Sequence, residues 1–200
     1  MMKNTWLILL FASVSIAGCA TDSVRVGPLA PDTYGWKARS TSGKSTKIAV
    51  SEFKQSTGKP PNTIGEAKTG VFNSLTPIVS EEPANMIVMS SIRKGLEGIG
   101  LKVVEPGEAD YRVDGTVERL WVDEHATGLS LEYAKAQVKY DIYVRNGRGE
   151  IVWANTIEGF KTSPKSADAT QDDIPTLTIA IEESVRSFVE DPGFWKTISR

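Results

Sequence analysis

The residues best equipped for chemistry in this 200-residue chain are Asp123-Glu124-His125, which join two carboxylates to the only histidine. A metal ion would need three or four ligands in fixed geometry. Three consecutive residues do not converge on one ion, and no second ligand cluster stands elsewhere, so a solvated loop over residues 123–130 is expected. Glu105, Glu108 and Asp110 form another acidic group around Pro106-Gly107. Paired carboxylates can serve as general acid and base when burial separates their pKa values. At the start of a strand the simpler expectation is a turn, with Asp110 hydrogen-bonding the turn's own backbone. No Gly-x-Ser-x-Gly occurs. A Ser-His-Asp arrangement would depend wholly on His125, and "GKPPNT" lacks the spacing of a phosphate loop. The expectation is a protein that is not an enzyme and carries no cofactor or metal.

The remaining reactive group is Cys19, the only cysteine, which has no intramolecular disulfide mate. It follows Lys3 and an apolar run over residues 6–16. A membrane-crossing helix needs about 20 apolar residues; this run has the length of a signal peptide. Ile16-Ala17-Gly18-Cys19 resembles a bacterial lipobox, with an aliphatic residue and two small ones before the modified cysteine. The thiol accepts diacylglycerol, and small neighbours let a peptidase reach the backbone. The resemblance implies a lipoprotein signal peptide over 1–18, cleavage after Gly18, lipidation of Cys19 and acylation (palmitate-type) of the new amino group. An ordinary secretory signal with an accidental cysteine is the alternative. One acyl chain anchors only marginally, several hold permanently. In bacterial lipoproteins an aspartate after the cysteine favours inner-membrane retention. Ala20 stands there, which implies the outer membrane, with the domain facing the periplasm.

Charge narrows the partners. The chain has 23 basic and 25 acidic residues, which gives no electrostatic footprint for nucleic acid and no basic cluster for anionic lipid. Residues 19–46 comprise the lipidated cysteine and a flexible tether, punctuated by Gly27, Pro28, Pro31, Gly35 and Gly43. Fully extended, residues 20–46 reach ~90 Å, and as a coil ~30 Å. Val24, Val26, Leu29, Tyr34 and Trp36 are more apolar than a linker needs, which leaves docking of part of it open.

Residues 47–200 form a single domain. Ile48, Val50 and Phe53 mark a strand, and 54–65 a polar loop. Residues 66–79 are ambiguous, with "TGVFNSL" offering a short strand. A helix follows, capped by Ser80, with Glu81, Glu82 and Pro83 in its first turn. Val88, Met89, Ile92, Leu96 and Ile99 make its apolar stripe, and Gly98 and Gly100 end it. Residues 101–104 are a strand whose parallel partner is the first, through a right-handed crossover. Tyr111, Val113, Gly115 and Val117 share one strand face. The phase then slips to Leu120 and Val122, which predicts a bulge near Glu118.

The clearest strand alternates Ala134, Ala136, Val138, Tyr140, Ile142 and Val144 with polar residues, so one face is buried and the other wet. Tyr133, Lys135, Lys139, Tyr143 and Val152 share the wet face, a mixed aromatic and basic set that suits protein binding or plain solvent. Asn146-Gly147 supply positive φ to a two- or four-residue hairpin loop. A three-residue loop would turn Trp153 and Ile157 outward and is rejected. The last helix starts near Asp172, capped by Asp172 or Asp173, with Leu177, Ile181, Val185 and Phe188 as its stripe. "DPGFWK" ends it and folds Phe194 and Trp195 back onto the domain. The sum is an α+β fold: a four- to five-stranded mixed sheet with a C-terminal antiparallel meander and two helices packed on one face.

Ile64-Gly65, the helix end over 96–101, and Ala109-Asp110-Tyr111 running to Gly115 resemble the YajG-type bacterial lipoprotein family. They are also similar to auxiliary lipoproteins of lipid-transport systems. The resemblance implies a small α/β domain on a lipid anchor with no established reaction, and carries over no functional residue except lipidated Cys19. The expected function is a non-enzymatic, lipid-anchored cell-envelope protein that binds or scaffolds another envelope component on the periplasmic side of the outer membrane. Its partners are the membrane, through Cys19, and an envelope protein or lipid, with no nucleic acid. The alternative is an auxiliary lipoprotein contacting lipid or lipopolysaccharide in an apolar groove near Met86 and Met89.

Overall fold

Period-two patterning dominates the centre of the chain, and three long strands result. The computed structural model describes residues 23–27, 29, 46–69, 74–127, 131–164 and 169–199. The expected signal peptide, Cys19 and most of residues 19–46 lie outside these. The strands are β1 (Val24–Val26), β2 (Lys47–Gln55), β3 (Thr63–Thr69), β4 (Ser74–Ser80), β5 (Lys102–Val103), β6 (Tyr111–Thr127), β7 (Leu131–Asn146) and β8 (Ile151–Pro164). The helices are α1 (Ala84–Gly98), α2 (Ala169–Val189) and α3 (Pro192–Ile198). The α+β class matches expectation, but the described residues form a mixed sheet of eight strands rather than four or five, and three helices rather than two.

β6 organises the sheet. It pairs antiparallel with β7 along its whole length, and β7 with β8. On its other edge β6 meets β2 in parallel over its first half, then β3 at Gly65↔Val122. β5 extends one wing beside β2, in parallel as expected. β4 and then β1 extend the other. The changeover coincides with a register shift between Val117 and Arg119, the bulge that the phase slip at Glu118 predicts. Val113, Val117, Leu120 and Val122 are all buried. The extra strands came from segments with weak periodicity. Residues 63–69 hold Gly65 and only two apolar side chains, Ile64 and Ala67, yet pairing with β4 and β6 makes them strand. Of "TGVFNSL", Thr69 and Ser74–Leu75 are strand and the four residues between lie outside the description.

One face of β6, β7 and β8 carries the core. Ala134, Ala136, Val138, Tyr140, Ile142 and Val144 are all fully buried under α2. Tyr140 meets Phe53 edge-on at 6.2 Å between ring centroids. Gly115 makes room for that pair: a Cβ there would stand 2.5 Å from the Phe53 ring. α1 buries Ala84, Ile87, Val88, Ile92 and Leu96 against the β2 wing, and it ends at Gly98, with Gly100 at φ +86°.

Three local expectations are corrected. Ser80 does not cap α1: it closes β4, its hydroxyl donates to the Asn62 and Glu82 carbonyls, and the helix begins behind Pro83, with Ala84 N–H donating to Pro61 O. α2 begins before Asp172, so Asp172 and Asp173 are not its cap and Pro175 lies inside the helix. The Thr176 hydroxyl donates to Asp172 O there.

At the β7–β8 turn the positive φ belongs to Gly149, not Gly147. Asn146 N–H donates to Glu150 O across three intervening residues, the loop length expected to fail. A bulge restores parity: Arg145 pairs with Ile151, but Val144 with Trp153. Ile142, Val138, Trp153 and Ile157 therefore still share the core side. Phe194 and Trp195 fold back as expected, on a helix of their own whose N-cap Asp191 accepts from Phe194 N–H.

Part of the 19–46 stretch is docked. β1 pairs in parallel with β4 (Val24↔Ile78, Val26↔Ser80), and Leu29 is 5% exposed within the core cluster.

Candidate functional site

A strand presents alternate residues to opposite faces, so the alternation that builds the core also builds a second surface. β6, β7 and β8 bear no described helix on that surface. It carries Trp121 and Asp123 from β6; Tyr133, Lys135, Gln137, Lys139, Asp141 and Tyr143 from β7; and Thr156, Glu158 and Phe160 from β8. Tyr133, Lys135, Lys139 and Tyr143 fall on it as expected, while Val152 is the unpaired residue of the β8 bulge. Phe160 and Val152 are exposed.

The surface is held by cross-strand polar contacts. Lys139 lies 3.2 Å from Glu118 and 3.5 Å from Glu158, bridging three strands. Its ammonium pKa is raised, first by the hydrogen bond to Glu118. Arg145 Nε donates to Asp114 at 2.7 Å, which raises the guanidinium pKa likewise. The Thr156 hydroxyl donates to Asp141, and Arg119 to Gln137 Oε1. Cations also sit by aromatic faces: Lys135 Nζ is 5.5 Å from the Phe160 ring centroid, and the Arg145 guanidinium 6.0 Å from Tyr143.

The bulge adds a cleft of about 320 Å³ at the edge of this face, lined by Thr57, Lys59, Glu66, Glu118, Arg119 and Trp121 among others. Lys59 stands 4.8 Å above the Trp121 ring. The phase slip at Glu118 was legible. That it turns Glu118 and Arg119 outward in succession and opens a cleft against the 56–62 loop was not, because the loop is far away in sequence.

The other predicted residues do not assemble. Asp123-Glu124-His125 are strand, not loop, because pairing with Lys135, Ala134 and Tyr133 extends β6 to Thr127. Asp123 and Glu124 point to opposite faces. Glu124 is buried, and its Oε1 accepts from Lys68 N–H at 3.0 Å. The His125 side chain and residues 128–130 lie outside the description. Glu105, Glu108 and Asp110 are exposed around a 3₁₀ turn at Pro106–Glu108. Asp110 accepts not from its own turn but from Lys47 N–H, tying that turn to β2. Met86, 41% exposed, and Met89 do border a cleft of about 580 Å³, but Arg93, Arg112, Glu52 and Glu105 line it with them. Among the described residues no group of three or more His, Cys, Asp or Glu is placed to hold a metal. No described helix is long and apolar enough to cross a membrane.

No family model matches the sequence, and no curated protein matches it. Solved structures do. Protein XCC0632 from Xanthomonas campestris, of the family DUF330, superposes with TM-score 0.55 at 16% identity, over 86% of this chain and 96% of its own. An uncharacterized protein gives TM-score 0.50 at 8% identity, over 83% of this chain and 96% of its own. A minor lipoprotein from Acinetobacter baumannii gives 0.44 at 8% identity, over 78% and 92%. The first two share the fold of this chain across nearly all of their own length, at identities where likeness is one of fold alone.

Proposed function

We propose that this is a non-enzymatic, lipid-anchored cell-envelope protein that binds another envelope component through the helix-free face of β6, β7 and β8. In this reading Cys19 carries the acyl chains, the outer membrane holds them, and the domain faces the periplasm. Ile16-Ala17-Gly18-Cys19 and Ala20 support the anchor and its location. Kinship with the YajG-type lipoproteins belongs to the same reading, on Ile64-Gly65 and Ala109-Asp110-Tyr111. The observation that carries the binding role is the open face itself, where exposed Phe160 lies beside Lys135 and Tyr143 beside Arg145. Aromatic and cationic groups together suit a protein partner. Tethering both members of a complex to one membrane raises their effective concentration.

The test is site-specific photocrosslinking in intact envelopes. A photoreactive residue at Phe160 or Tyr143 yields one discrete adduct, whereas the same residue at Glu183, exposed on α2, yields none. Equal, diffuse labelling from all three positions would refute the binding face. Acylation is read separately, by the mass of the Cys19 peptide.

The second reading, contact with a lipid or lipopolysaccharide, draws on the cleft where Met86 and Met89 meet Arg93 and Arg112. Methionines suit acyl chains and guanidinium groups suit an anionic headgroup. Protein purified without detergent that carries stoichiometric lipid, lost in M86D, would favour it.

A further inference from the structure

The position of β1 changes what the chain ahead of the domain can do. If residues 20–46 were all tether, the domain would roam ~90 Å from its anchor. Instead Val24–Val26 is a strand of the sheet and Leu29 is buried in the core. Only residues 20–23 then separate Cys19 from folded structure, and the long polar segment lies between β1 and β2. Five residues from Cys19 to Val24 span at most ~17 Å.

The direction of β1 says which end of the domain is held close. β1 runs parallel to β4, β4 antiparallel to β3, and β3 parallel to β6. β1 therefore runs against β6, and its start lies toward the end where β6 finishes at Thr127 and where β3 hands over to β4 across Thr69↔Ser74. The opposite end holds the β7–β8 turn, the start of β2 and the C-terminal helix, whose Ile198 O accepts from the Thr46 hydroxyl. At the β1 end, three residues from the level of Val24, stands Leu75, 64% exposed and the most exposed large apolar side chain described. Ile151 and Val152 are exposed at the opposite end, so the short link from Cys19, not apolar exposure, selects the end held at the bilayer.

We infer that the end of the domain formed by the start of β1 and the paired ends of β3 and β4 at Thr69 and Ser74 is a membrane-contact surface, with Leu75 seated at the lipid interface within reach of the acylated Cys19. This rests on the anchor reading above. Its occupant is the bilayer that carries the protein's own acyl chains, and the domain stands on that membrane in one orientation, with the β7–β8 turn pointing away.

The acylated full chain is purified as L75C and, separately, as R148C, whose site lies on the exposed β7–β8 turn. Because Cys19 is blocked by lipid, the new thiol alone takes an environment-sensitive fluorophore. Each protein is reconstituted into vesicles of phosphatidylethanolamine and phosphatidylglycerol with doxyl-labelled lipid. The expected result is a blue shift and roughly threefold stronger quenching at position 75 than at 148. Inserting about 20 Gly/Ser residues between Ser23 and Val24 should reduce quenching at 75 to the level at 148 while acylation persists. Equal quenching at the two sites with acylation intact overturns the membrane-contact surface and leaves the anchor standing. An unmodified Cys19 in the mass spectrum overturns both.

Discussion

The two faces of β6, β7 and β8 are built on the same backbone and differ in almost everything else. Under α2, six alternate residues of β7 are fully buried, and Gly159 of β8 lets the helix come so close that a Cβ there would stand 2.0 Å from Ala180 O. On the opposite face Lys139 bridges Glu118 and Glu158, and cations lie beside Tyr143 and Phe160. The covered face works by volume: a missing or added carbon has nowhere to be absorbed. The open face works by paired charge in solvent, where single pairs contribute little. Stability therefore lives on one side of the sheet, and the other is free to be spent on recognition.

The sharpest way to break the contrast is Phe188→Ala. Phe188 is fully buried, with Phe194 at 4.6 Å and Trp153 at 5.7 Å between ring centroids, so the variant should lose about 4 kcal/mol in denaturant unfolding. Gly159→Ala should come next, at ~3 kcal/mol, because the intruding Cβ meets helix backbone rather than a flexible side chain. A loss under ~0.5 kcal/mol there would mean that α2 does not pack as described.

Tyr140→Phe sharpens the comparison through pH. Burial raises the Tyr140 phenol well above its ordinary 10.0, and the Ser184 hydroxyl opposes this only in part. The unfolded phenol loses its proton first, so stability is full below pH 10 and falls as pH rises beyond it. The variant should flatten that alkaline decline of Tm while behaving like the parent at neutral pH. A parallel decline in both proteins would assign it elsewhere. Smallest in stability is Phe160→Ser on the open face, within ~0.5 kcal/mol. If that face binds a partner, the same change should still weaken crosslinking from Tyr143 in intact envelopes. A fold-level loss with unchanged crosslinking would reverse the roles given to the two faces.

What could be read in advance followed the strength of the local pattern. The strict alternation over residues 134–144 and the phase slip at Glu118 were legible because a half-buried strand and its bulge leave their mark on neighbouring residues. The 3.6-residue stripes of α1 and α2 were legible for the same reason, although their starts were misread: Pro61 and Asn62, not a capping side chain, meet the groups around the start of α1. β3 and β4 were hidden, since a strand with one or two buried side chains per face is defined by its neighbours. The hairpin loop was mistaken in length and right in parity, because a second irregularity at Val152 offsets the first.

Short-range physics written along the chain thus determined the apolar and polar phases of the main strands, the helical stripes and the lipobox resemblance at Cys19, each carried by residues within a few positions of one another. The tertiary structure alone decided that residues 24–26 join the sheet, that β2 and β3 divide one edge of β6, and that Glu124 is buried while Asp123 faces out. Backbone hydrogen bonds between distant segments make those choices, and the sequence of one strand does not encode the identity of the edge it will meet.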